Sequence, residues 1–96
     1  MTTELHQLTL FFSSIREDNR ISPTHISLYM ALFQIYILNS SQNPIEISRL
    51  TVMDRAKISG LATYHKCIKD LNDYNYIRYL PSFNPRVKSK VWMLIK

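Results

Sequence analysis

The segment from Ser22 to Asn39, SPTHISLYMALFQIYILN, restricts this 96-residue chain more than any other. Ser22-Pro23 marks a helix start. Serine accepts a hydrogen bond from a free backbone N–H of the first turn, and proline suits the first helical position because an N–H there would have no helical partner. Ile26, Tyr29, Met30, Phe33, Ile35, Tyr36, Ile37 and Leu38 follow, and after His25 only Ser27 and Gln34 interrupt the apolar run. A helix apolar nearly all round is buried on most sides. So short a chain has few elements to surround it. The first helix, the C-terminal half or a second copy must supply the cover. A homodimer through residues 2–39 is the expectation drawn from this apolar load.

The segments on either side supply candidate cover. In residues 1–21, Thr2 or Thr3 caps a first helix, with Glu4 near its positive end. Leu5, Leu8, Phe12 and Ile15 recur at spacings of three, four and three, an amphipathic stripe. This stripe is either a dimerisation arm or a cover for the domain's own core. The polar run from Ser13 to Arg20 ends it. Downstream, Asn39 to Pro44 is a loop, and Pro44 to Ile47 is a short strand that joins a later sheet. Ser48 caps a helix from Arg49 to about Lys57, with Leu50, Met53 and Ile58 facing inward.

The last forty residues carry the functional pattern. Ser59 is a candidate N-cap. Tyr64, Cys67, Ile68 and Leu71 then share one helical face, while Ala62, Lys66, Lys69 and Asp73 lie opposite, flanked by Thr63 and His65. One side packs and the other offers small and basic groups to a partner. Asn75 stops the helix, because asparagine tolerates the left-handed conformation better than other non-glycine residues. Tyr76 to Leu80 reads as a strand, Pro81-Ser82-Phe83-Asn84-Pro85 breaks it, Arg86, Lys88 and Lys90 form a basic hairpin tip, and Val91 to Ile95 closes as a second strand.

A helix followed by a two-stranded ribbon with a basic tip is the layout of a winged helix-turn-helix domain. The stretches KIS at 57–59, ATYHKCIKDL at 62–71, YIRYLPSFNP at 76–85 and SKV at 89–91 resemble the C-terminal half of winged helix-turn-helix regulators of the multiple-antibiotic-resistance-repressor type. They resemble more closely short winged-helix proteins carried on bacterial mobile elements. The first half of the chain follows this pattern only in helix order. Asn75 and Lys88 stand where the pattern usually has glycine; Asn75 preserves the mechanism of the stop, whereas a lysine at 88 fits fewer tight turns. The expected architecture is mainly α with a small antiparallel β wing, a single winged helix-turn-helix domain with an added N-terminal helix. Its parts are an N-terminal arm (1–21), a buried helix (22–39), the helix-turn-helix (45–74) and the wing (76–96).

Charge points to the same end of the molecule. Residues 1–44 hold two basic and three acidic side chains, a net of −1; residues 45–96 hold ten basic and four acidic, a net of +6. A basic half in a chain of pI near 9.6 favours a polyanionic partner. The expected function is sequence-specific binding of double-stranded DNA by a transcriptional regulator. The major groove admits an α-helix and exposes distinguishable base edges. Ser59, Ala62, Thr63, His65, Lys66 and Lys69 would face it, with Lys66 reaching a base edge or phosphate and Lys69 a phosphate. Arg86, Lys88 and Lys90 would contact backbone or minor groove, which positions without reading much sequence. The alternatives are a winged-helix protein-interaction module, or an accessory of replication or excision on a mobile element.

Other chemistry finds little support. His65 and Cys67 are two apart on a helix, so they point about 200° apart and do not share a metal. His6 and His25 are distant in sequence, so no metal or other cofactor is expected. Cys67 reads as a small core residue. Gly60 is the one glycine, which excludes a glycine-rich phosphate loop, and Asp70 with Asp73 reads as a solvated pair rather than a catalytic one, so no enzyme is expected. No apolar run is long enough to span a bilayer. The start MTTELHQL lacks the basic cluster of a secretory signal, and a single cysteine fits a reducing cytoplasm.

Overall fold

Helix α2 (Pro23–Leu38) begins and ends where its signals lie. Ser22 Oγ accepts the His25 N–H, and His25 Nδ1 accepts the Ser22 N–H at 3.0 Å, a reciprocal cap in which histidine stands in the usual place of glutamate. Leu28 and Leu32 are wholly buried, and Tyr29, Ala31, Phe33 and Tyr36 nearly so. The helix is thus covered on most sides by its own chain; its exposed apolar groups, Ile37 and Leu38, lie at the C-terminal end. The computed structural model describes residues 3–94. Among these the remaining elements are α1 (Thr3–Ile15), β1 (Ile45–Ile47), α3 (Arg49–Ala56), α4 (Leu61–Asp73), β2 (Ile77–Leu80) and β3 (Ser89–Met93). The chain is mostly helical with a small antiparallel sheet in the order β1-β3-β2.

Helix α1 covers the core through a stripe rotated from the expected one. Phe11 is buried, and its ring stacks on Tyr29 with centroids 3.7 Å apart and meets Tyr76 edge-on at 5.7 Å. Leu8 and Ile15 pack beside it, whereas Leu5 and Phe12 remain 50% and 42% exposed. Leu8, Phe11 and Ile15 are also spaced by three and four, so two neighbouring stripes competed, and the ring stack on Tyr29 decides between them. Thr3 lies inside the helix rather than capping it, and Thr2 falls outside the described residues.

The turn between α1 and α2 is pinned to the far end of α4. The Asp18 carboxylate accepts from Arg20 Nε and Nη2 at 2.8 and 2.9 Å and from the Tyr76 hydroxyl at 2.7 Å. Arg20 in turn lies 3.9 Å over the Tyr74 ring. The bonds from Arg20, then from Tyr76, hold the Asp18 carboxyl well below the usual carboxylate range. Burial, and then Asp18, push the Tyr76 phenol up to about 12.

Ser48 caps α3 by accepting the Thr51 N–H, as its position implies. The inward residues are Val52 and Ala56, with Met53 packed at the side and Ile58 buried beyond the helix. Leu50, expected inside, is 74% exposed. It stands two residues before Val52, hence about 200° round the helix from it. Lys57 ends α3 in the left-handed conformation at φ 60°, and the Ser27 hydroxyl of α2 donates to the Ala56 carbonyl.

Helix α4 starts one residue later than the serine suggested. Gly60 is the N-cap, without a side-chain bond, and Ser59 sits exposed just outside. Tyr64, Cys67, Ile68 and Leu71 are buried as the periodicity predicts. Asn75 takes φ 66°; its N–H bonds the Asn72 carbonyl at 3.1 Å while the Tyr76 N–H bonds Leu71 at 2.9 Å. These are the two bonds of a Schellman stop. Strand β2 begins at Ile77, one residue after the expected start, because Tyr76 closes that stop. Strand β3 begins at Ser89 because Ser89 and Lys90 pair with Ile47 and Glu46 of β1. The expected strand 91–95 is therefore shifted towards the chain start, and Ile95 lies outside the described residues. Lys90 consequently belongs to a strand and not to the hairpin tip. Beyond β1 the Asn43 side chain bonds both backbone groups of Met93, at 2.9 and 3.0 Å, and so prolongs the ladder.

Two stability outcomes follow. Asn75→Gly keeps or raises stability, whereas Asn75→Ala lowers it by about 1 kcal/mol, the cost of a Cβ in a left-handed residue; urea unfolding at equilibrium compares them. Asp18 is depressed in the folded state, so its stabilisation is present above the unfolded pKa of about 3.9 and is lost as pH falls through the lower folded value. Asp18→Asn is therefore less stable at neutral pH and loses less on acidification, measured as urea midpoints between about pH 5 and pH 2.

Candidate nucleic-acid interface

The outward face of α4 carries the expected groups. Ser59, Ala62, Thr63, His65, Lys66 and Lys69 are all exposed. Helical periodicity alone brings all but Ser59 to this surface, since the buried stripe through Tyr64, Cys67, Ile68 and Leu71 leaves them no other side. Burial pushes the Tyr64 phenol up to about 12, with Tyr79 of β2 adding to it and Arg49 of α3 opposing.

The two lysines of this face are already engaged. Lys66 Nζ lies 2.8 Å from Asp70 Oδ2, and Lys69 Nζ lies 2.7 Å from Asp73 Oδ2, each one turn along the helix. The lysines raise their own pKa by these bonds and hold both carboxyls below the usual range. Asp73 is further lowered by Asn72. Asp70 and Asp73, which the sequence presented as a solvated pair, thus cancel the charge of α4. The basic excess of the C-terminal half therefore does not lie on α4, and residues 76–96 carry it.

Asp70 has a second partner that sequence periodicity did not reveal. Its Oδ2 accepts His25 Nε2 at 2.9 Å, while His25 Nδ1 faces the Ser22 hydroxyl at 2.8 Å and accepts the Ser22 N–H. With Nδ1 accepting a backbone N–H, Nε2 carries the proton, and the imidazole needs no charge to make both bonds. His25 is buried and ties the start of α2 to the middle of α4. A serine, histidine and aspartate in line suggest a nucleophile relay. Here the serine is spent on a helix cap and the histidine nitrogen beside it is already occupied by a backbone donor. Among the described residues, no group of three or more His, Cys, Asp or Glu converges to hold a metal.

The β2–β3 hairpin is attached to α4 directly. Asn72 Oδ1 accepts the Tyr79 N–H at 2.9 Å, filling a backbone donor on the open edge of β2. Arg78 lies over the Trp92 ring at 5.2 Å across the two strands. The tip from Pro81 to Lys88 rests beside Ile47 and Ser48 at the start of α3, where they line one shallow cleft. Arg86 and Lys88 are exposed on the tip; Lys90, within β3, is half-buried and registered opposite Glu46. After Asp73 the sequence contains no acid, and residues 76–96 carry Arg78, Arg86, Lys88, Lys90 and Lys96. Residues 76–96 therefore hold as much positive charge as the whole chain has in excess, +5.

None of the known protein families, curated proteins or solved structures compared with this chain matches it. Its own geometry therefore carries the functional reading. Helix α1 is flanked by two apolar grooves of about 630 and 670 Å³. Leu8 lines both; Ile37 and Leu38 border one, and Leu5, Phe12 and Ile26 the other. No described helix is long and apolar enough to cross a membrane.

The two partners of Asp70 separate by experiment. Asp70→Ala leaves the buried His25 N–H without an acceptor and costs about 1–3 kcal/mol. Lys66→Ala removes a pair whose lysine is 72% exposed, leaves His25 its acceptor and shifts the urea midpoint little.

Proposed function

We propose that this chain is a winged helix-turn-helix protein that binds double-stranded DNA sequence-specifically as a cytoplasmic transcriptional regulator. The observation that carries the reading is an exposed α4 face joined to a hairpin segment that holds +5 and no acid. The order α2-β1-α3-α4-β2-β3 with strands in the order β1-β3-β2 supports it. In this reading α3 and α4 are the helix-turn-helix, α4 enters the major groove and the β2–β3 hairpin is the wing.

The charge distribution divides the labour. The wing residues Arg86 and Lys88, aided by Lys90 from its strand, neutralise phosphates and release counterions, which gives affinity without sequence preference. The α4 face is neutral, so it adds little to non-specific attraction and leaves discrimination to short-range contacts. Ala62 and Thr63 allow close approach and touch a thymine methyl. Lys66 exchanges Asp70 for a base edge or phosphate, and Asp70 keeps His25 as a partner when it does so. Lys69 exchanges Asp73 for a phosphate, and Ser59 and His65 flank the contact. A protein-interaction module, or an accessory of replication or excision on a mobile element, is the second reading, favoured by the same apolar surface that serves for pairing. Two copies pair through α1 and α2, with the two grooves and the exposed Leu5, Phe12, Ile37 and Leu38 as the contact. A dimer places two α4 helices on two half-sites.

Selection from a random duplex pool gives the preferred site, and binding isotherms at several salt concentrations test the division. Lys66→Ala weakens the preferred duplex about five- to hundredfold and random duplex little. Replacing Arg86, Lys88 and Lys90 by alanine weakens both alike and flattens the log–log salt slope by about 0.9 per lost phosphate contact. An unchanged salt slope in the wing variant removes the wing from the interface, and a wild-type chain that prefers no duplex favours the protein-interaction reading. Sedimentation at micromolar concentration gives about twice the 11.4 kDa chain mass; Phe12→Lys combined with Leu38→Lys returns it to the single-chain mass. A wild-type monomer refutes the pairing.

A further inference from the structure

Phe83 stands 94% exposed at the tip of the β2–β3 hairpin, more than any other large apolar side chain described. Isolated apolar residues on a surface are ordinary, but Phe83 is not isolated. Leu80 and Val87, each more than half exposed, line one small hollow with it. The loop that carries the ring is fixed by its own hydrogen bonds. Ser82 Oγ accepts the Asn84 N–H at 3.2 Å, Asn84 Oδ1 accepts the Arg86 N–H at 3.0 Å, and the Asn84 carbonyl accepts the Val87 N–H at 2.9 Å. Ser89 Oγ accepts the Ser82 N–H at 3.0 Å, closing the loop onto β3. Pro81 and Pro85 fix φ on either side. The loop backbone is thus ordered while the Phe83 ring stays in water, where it adds no burial to the fold.

We propose that Phe83 is an apolar wedge that enters the minor groove of duplex DNA and partly unstacks one base step. The inference rests on the reading of the chain as a DNA-binding protein. Charge complementarity selects the partner: Arg86 and Lys88 follow the ring within five residues on the same loop, no acid lies between Pro81 and Lys88, and Lys90 on the adjoining strand is registered opposite Glu46. A partner that meets this tip must offer dense negative charge and flat apolar faces together, as nucleic acid does. One ring on a rigid tip suits a single insertion, in the manner of apolar side chains that kink DNA from the minor groove. Single strands are instead bound along a groove by several successive aromatic rings. Three apolar side chains also bury too little area for stable insertion into a membrane surface. Because the loop is already ordered, insertion costs little conformational entropy beyond that of the DNA.

The test uses the full chain and the duplex it selects from a random pool, with 2-aminopurine replacing each adenine in turn. Wild-type protein brightens the probe at one step, which reports unstacking. Phe83→Ala removes that signal and weakens binding about five- to hundredfold, while Phe83→Leu, which keeps an apolar wedge, retains most of both. If Phe83→Ala matches wild type in affinity and in probe signal, the wedge is wrong and the DNA reading stands. If the wild-type chain selects no duplex, the DNA reading fails and takes the wedge with it. Tighter, Phe83-dependent binding to the single strand of the same sequence replaces the wedge by a stacking contact. Phe83-dependent sedimentation with vesicles containing phosphatidylserine, with duplex binding unaffected, replaces it by a membrane contact.

Discussion

The burial of the middle of α2 is the constraint on which the rest of the structure depends. Leu28 and Leu32 lose all contact with water, and each such side chain contributes about 1.5–3 kcal/mol of transfer free energy. One helix cannot bury itself, and the other elements share one core with it. Helix α1 covers one side through Phe11, α3 another through Val52 and Ala56, and α4 a third through Cys67, Ile68 and Leu71. The sheet closes the remainder through Ile45, Ile77 and Val91, all with at most 1% exposure. The apolar side chains left outside fall on every layer: Leu5 and Phe12 on α1, Ile37 and Leu38 on α2, Leu50 on α3, Leu61 on α4, and Leu80, Phe83 and Val87 on the β2–β3 hairpin.

Polar contacts then decide how the covering elements stand relative to one another. Hydrophobic burial is non-directional and tolerates sliding. Three directional tethers remove that freedom around α4. His25 joins its middle to the start of α2, Asn72 joins its end to β2, and the Asp18, Tyr76 and Arg20 cluster joins the turn after α1 to the segment that follows it. In the DNA-binding reading, the tether from Asn72 matters most, because it sets the helix face and the charged hairpin in one rigid relation. Asp70 has a double role in that scheme: it anchors His25 permanently and holds Lys66 in a form that a stronger anion can replace.

The candidate site was legible to different degrees. The buried and exposed faces of α4 followed from a spacing of three and four, which helix geometry converts directly into direction. Asn75 as the stop was equally legible, since few residues adopt a positive φ cheaply. The neutrality of the exposed face could have been found from the same spacing, because Lys66 with Asp70 and Lys69 with Asp73 are each four apart. Lys90 was misplaced because strand length depends on whether a third strand is present to pair with Ser89 and Lys90. Phe83 left only a weak signal, an aromatic residue between two prolines in a turn of serine and asparagine.

The sequence by itself determined the helices, the Ser22 and Ser48 caps, the Asn75 stop and the side of α4 that faces the core, because these depend on contacts within one or two turns. It also placed the basic excess in the C-terminal half. Tertiary structure alone decided which of two overlapping stripes of α1 is buried, since Phe11 and Phe12 are equally apolar and only the Tyr29 ring distinguishes them. It alone turned Leu50 outward, extended β3 back to Ser89 and gave His25 a partner forty-five residues away. Each of these outcomes rests on a contact between groups distant in the chain, and local periodicity carries no information about such a contact until the chain has folded.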